Sequence, residues 1–81
     1  MSRDHEILEA IVLCRKLVDE RQRFFDKYGV LNSDGRKLLN RIVRIVMKKV
    51  PQVRAVAVKA RREPILDNIL RFLEELENLH K

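Results

Sequence analysis

The chain contains no tryptophan, no threonine, one tyrosine, one cysteine, two glycines and two prolines among its 81 residues. A single cysteine excludes an internal disulfide framework. With only His5 and His80 beside it, at opposite ends of the chain, it also supplies no ligand spacing for a structural zinc site. So little glycine and proline, at 46% hydrophobic content, excludes a collagen-like or disordered chain. The longest apolar runs, such as Ile11-Val12-Leu13-Cys14, fall far short of the ~18 residues a membrane span requires. Residues 1–6 are charged and lead straight into an amphipathic pattern, unlike a secretory signal.

Chemical motifs are equally scarce. There is no glycine-rich phosphate loop, no Ser-His-Asp set and no pair of catalytic carboxylates. Asn32-Ser33-Asp34-Gly35 is superficially like a calcium loop but lacks the bidentate glutamate such a loop needs further along. A chain this short hides only about 60% of the surface its unfolded form exposes, which leaves no room for a large catalytic cleft. The expectation is therefore a non-enzyme with no cofactor, metal or small-molecule substrate, located in the cytoplasm or within a virion or infected cell. Charged residues reach 37%, with few thermolabile amides, a composition that resembles hyperthermophile proteins. Any helix-rich chain poor in strands would also lack threonine.

What is present is helical periodicity. Ile7, Ala10, Cys14, Leu17, Phe24 and Tyr28 recur at 3–4 spacing and predict a first helix over 3–28, with Arg21 interrupting the stripe. Gly29 then reads as a left-handed C-cap. Such a helix would be about 39 Å long, too long for one short partner to cover, and so points to dimerisation. Arg21 would snorkel to the rim of that interface or meet an acid of the second copy. Cys14 reads as a small buried hydrophobe, with a disulfide across a dimer seam as the alternative.

Ser33 or Asp34 is expected to cap a second helix over 34–50, stopped by Pro51 because the residue before a proline is driven out of the helical region. Residues 52–62 fit either a short helix or an extended segment; the preceding proline and three alanines favour the helix. A last helix over 64–80 starts at Pro64, and Ile65, Ile69, Phe72, Leu76 and Leu79 line one face. The expected fold is all-α: a single domain over 1–81, a small helical bundle of three long helices and one short one. A homodimer through the first and last helices would complete it.

The formal charge of +6 is unevenly spread. Residues 1–29 balance to zero and residues 63–81 to −3, while residues 30–62 carry ten basic side chains and one acid, a balance of +9. From Gly35 to Arg62 there is no acid. Lys37, Arg41, Arg44 and Lys48 stand at i, i+4, i+7 and i+11, on one side of the second helix and opposite its apolar face. Like charges at this spacing repel by a few tenths of a kcal/mol per pair, roughly. The first and last helices interleave glutamate; this one does not. A polyanion would supply the missing charge, and phosphates are the commonest source.

These features point to a small basic nucleic-acid-binding protein, a regulator or architectural protein of an archaeon or its virus. Its contacts would run mainly to duplex DNA phosphates. The candidate residues are Lys37, Arg41, Arg44, Lys48 and Lys49 on the second helix, and Arg54, Lys59, Arg61 and Arg62 after it. The helix–proline–helix order also permits a helix-turn-helix in which Gln52, Arg54, Lys59 and Arg62 face the groove, although the usual glycine turn is missing. The aromatics are expected on core faces, so base stacking is not indicated. The rival reading is a protein-interaction module or assembly subunit whose basic face meets an acidic protein. Glu74, Glu75 and Glu77 form a solvated acidic patch, or one that competes with nucleic acid for a neighbour's basic stripe. A peripheral membrane contact is weakened because the core needs the second helix's apolar face.

Overall fold

Among the described residues five α-helices follow one another: α1 (Ser2–Asp19), α2 (Arg21–Phe24), α3 (Ser33–Lys49), α4 (Arg54–Arg62) and α5 (Leu66–His80). The computed structural model describes the backbone of residues 2–80 and the side chains of residues 5–80. Among the described residues there is no strand, only two isolated antiparallel bridges, Phe25 to Leu31 and Val30 to Ile65. The all-α expectation holds, but the number of helices and their boundaries differ from those the sequence predicts.

The largest difference is in the first helix. It does not reach residue 28 but breaks at Glu20, where φ is −105° and ψ 38°. An unbroken helix would place Arg21 on the stripe already formed by Cys14 and Leu17. An unpaired guanidinium buried there would cost several kcal/mol, roughly, whereas interrupting one turn costs far less. The break leaves Arg21 exposed and turns Phe24 and Phe25 into the core.

The chain then reverses in a tight hairpin. Asp26 Oδ1 accepts from the amides of Tyr28 at 2.8 Å and Val30 at 3.1 Å, and Asp26 N donates to Val30 O at 2.8 Å. Gly29 has φ +78°, the left-handed backbone expected of it, but at a hairpin tip and not at a helix end. Tyr28, predicted on the core stripe, is 77% exposed.

Asn32, one residue before the predicted caps, caps α3: its Oδ1 accepts from Gly35 N at 2.9 Å. Its Nδ2 donates to Arg23 O at 2.7 Å, which ties the cap to α2. Gly35 is needed for close approach, since a Cβ there would lie 2.8 Å from Phe24 O. The helix ends at Lys49, as the proline rule requires. The segment predicted over 52–62 becomes one 3-10 turn, Pro51–Val53, followed by α4. Val53, Ala57 and Ala60 form its buried side, and the small alanines let α4 sit close to α3 and α5.

Helix α5 starts at Leu66, not at Pro64. Leu31 N donates to Pro64 O and Leu66 N to Gly29 O, both at 2.9 Å. Together with the bridge between Val30 and Ile65, these bonds hold residues 64–65 extended against the hairpin.

Helix α1 packs against both α3 and α5. Ile7, Ala10, Cys14 and Leu17 of α1, Leu39, Ile42 and Val46 of α3, and Ile69, Phe72 and Leu76 of α5 belong to one buried cluster. No charged or polar side chain is buried among the described residues. At 18 residues, about 27 Å, α1 is matched in length by its two neighbours. The long uncovered helix that argued for a second copy is therefore absent. The α1 stripe is covered within the chain.

Cys14 is fully buried in this cluster, so it cannot form the seam disulfide. Burial, with a smaller contribution from the charge on Glu77, pushes its thiol from 9.0 up to about 12. Its neutral form is thereby favoured in the fold. The stabilisation is fully present below pH 9 and is lost as pH rises towards about 12, because the unfolded chain ionises first. Urea melts between pH 8 and 11 should show the native protein losing stability more steeply than Cys14→Ala. Parallel pH profiles would contradict the burial.

Candidate nucleic-acid interface

Because Leu39, Ile42 and Val46 point into the core, the remaining sides of α3 are fixed in space. All six of its basic residues from Arg36 to Lys49 are exposed, as are Arg54, Lys59, Arg61 and Arg62 of α4. Packing sorts them into three groups, the first two of which overlap, because Arg44 and Lys48 also line a recess with Arg41, Lys49, Glu6 and Glu9.

The first group turns towards α1. Helix α3 runs back along α1, so Arg41 Nη2 lies 3.5 Å from Glu9 Oε2 and Lys49 Nζ 3.9 Å from Glu6 Oε1. The first pair is exposed and worth between zero and about 1 kcal/mol, while in the second Glu6 is half-buried. They reduce the charge that Arg41 and Lys49 offer to an outside partner.

The second group converges on a groove between α3 and α4. Arg44 and Lys48 of α3 face Arg61 of α4 across Asn40 and the half-buried Met47. An adjoining recess is lined by Arg36, Asn40, Arg61, Arg62 and Pro64. Asn40 and Arg61 belong to both, so the two form one continuous cationic path. It contains no carboxylate. Lys37 stands on the exposed side of α3 outside these recesses.

The third group is on the far side of α4. Lys59 lines a separate recess with Ala55, Val58, Arg62 and Glu63, and Arg54 begins the helix at its other end. Of the nine residues singled out from sequence, the groove unites Arg44, Lys48, Arg61 and Arg62. It does not include Arg54, Lys59, Arg41 or Lys49.

Two groove residues escaped the sequence reading as candidates, Arg36 and Asn40. A signal for them existed: Arg36, Asn40 and Arg44 stand four apart, so they share a side of α3 inclined from the main stripe. Without knowing where α4 packs, nothing marks that side as the useful one.

The arrangement presents a line of cations to an anionic ligand. No group of three or more His, Cys, Asp or Glu side chains able to hold a metal occurs among the described residues. None of the helices there is long and apolar enough to cross a membrane. Comparison with protein-family models, with curated proteins and with solved structures finds no match to this chain.

Proposed function

We propose that the protein binds nucleic acid, duplex DNA in the first instance, by gripping backbone phosphates along the α3–α4 groove, in a regulatory or architectural role. One observation carries this reading. Arg36, Arg44, Lys48, Arg61 and Arg62 converge from two helices, and among the described residues none has an acidic partner within 4 Å. Cations brought together at a mutual cost in repulsion are stabilised when a polyanion replaces its condensed counterions with them. Three of the five are arginines, whose planar fork matches phosphate oxygens. The reading includes a homodimer, for which the exposed Leu8, Val12 and Leu70 on α1 and α5 supply apolar surface.

A duplex gel shift over a salt series tests it. Five phosphate contacts give a slope of log affinity against log salt of about −4.5. The sample's mass, read by light scattering, should be twice the 9.7 kDa of the chain. Absence of a shift at about 50 mM salt would overturn the nucleic-acid reading. A 9.7 kDa particle that still binds would overturn the dimer alone.

A second reading, an acidic protein partner, draws on the pairing of Glu6 and Glu9 with the α3 edge, where a carboxylate-bearing helix already packs. It predicts capture by an acidic helical peptide with no shift of DNA.

A further inference from the structure

We propose that Tyr28 is a base-stacking residue, and that the preferred ligand of the groove is a duplex carrying a short single-stranded extension. This rests on the nucleic-acid reading above and adds to it the class of nucleic acid.

The three phenylalanines, Phe24, Phe25 and Phe72, are all buried. The one remaining aromatic, Tyr28, is 77% exposed at a turn where serine, asparagine or aspartate would serve the backbone equally well. An apolar ring left in water adds nothing to folding, but it offers a flat face to a ligand.

The ring is also held ready. Besides the two amides that Asp26 Oδ1 accepts, Gly29 N donates to Asp26 O at 3.0 Å and Asp26 N to Val30 O at 2.8 Å, so the tip has little freedom to lose on binding. Lys27 Nζ lies over one face of the Tyr28 ring, 5.2 Å from its centre, so a base would stack on the opposite face with a cation close by. The nearby Asp26 carboxylate is engaged with backbone amides through Oδ1.

The hairpin is fastened to the groove. Leu31 N donates to Pro64 O, and Pro64 lines the recess with Arg36, Arg61 and Arg62. Tyr28 stands three residue steps from Leu31, a backbone reach of at most about 10 Å. That equals about three nucleotide steps along one strand. A base on a short single-stranded extension of a duplex held in the groove can stack on such a ring, whereas a closed base pair cannot offer it a free face.

With one tyrosine and no tryptophan, the protein's own emission reports on Tyr28 without labelling. The experiment titrates the full chain with a blunt duplex and with the same duplex bearing a three-nucleotide extension. The tailed duplex is expected to bind about 5- to 150-fold tighter and to quench the tyrosine emission. Tyr28→Ala should bring its affinity down to that of the blunt duplex, whereas Tyr28→Phe should hold it. Since the side chain is exposed, neither variant touches the core, and an unchanged circular dichroism spectrum verifies this. Equal affinity for both duplexes with unchanged emission overturns stacking while leaving the groove intact, as does a tail preference that survives Tyr28→Ala. Failure of both duplexes to bind overturns both readings together.

Discussion

Replacing Arg44 and Arg61 together by glutamate lowers affinity for duplex DNA by about 10²- to 10⁴-fold. The two residues face each other across the α3–α4 groove and have no acidic partner among the described side chains. Each would make a charge-assisted hydrogen bond to phosphate, worth about 1.5–3 kcal/mol. Reversal removes both bonds and sets two carboxylates beside the remaining cations. The salt slope should also flatten by about 2, one released counterion for each lost contact. Both side chains are exposed, so thermal stability should stay near that of the parent. Arg21→Glu with Arg71→Glu, two exposed reversals on α2 and α5 away from the groove, is the charge-matched control and should leave the gel shift unchanged. Equal losses from the control and the double variant would mean that only overall charge matters, and would dismiss the groove.

Phe72→Ala should do the opposite, removing the fold and with it any binding. Phe72 is 0% exposed and is the largest of the fully buried side chains. Truncating such a phenylalanine costs about 3–5 kcal/mol, the lost transfer energy plus that of the cavity left behind. An 81-residue chain is expected to have only about 4–12 kcal/mol of total stability. The melting temperature should fall by tens of degrees, at about 4–8 °C per kcal/mol. Thermal circular dichroism measures this directly. Phe72→Leu, which keeps most of the volume, should lose much less. If Phe72→Ala melted within a few degrees of the parent, α5 would not be packed into the core as described.

Helical periodicity was legible wherever a segment's neighbours in sequence are also its neighbours in force. Pro51 stops α3 because of a local clash, and Val53, Ala57 and Ala60 bury one side of the segment that sequence left ambiguous. The break at Glu20 was not legible, since no glycine or proline marks it. It follows from the cost of burying Arg21 and from a hairpin closed by Phe25 and Leu31 and braced by Ile65 against Val30, residues far apart in the chain. The same break carries Tyr28 out of the stripe and into solvent, where it becomes a candidate contact.

The scarcity of cysteine, glycine and proline, the spacing of apolar residues and the excess of positive charge in residues 30–62 determined by themselves that the chain is helical and that its net positive charge lies on α3 and α4. Which of those cations meet was decided only by tertiary packing. Once Leu39, Ile42 and Val46 enter the core, the rotation of α3 about its axis is set. That rotation turns Arg41 and Lys49 towards the acids of α1, sets Arg44 and Lys48 between those acids and Arg61, and turns Arg36 towards Arg61 and Arg62. A charge pattern along one helix specifies a side; the partner helix packed beside it specifies a site.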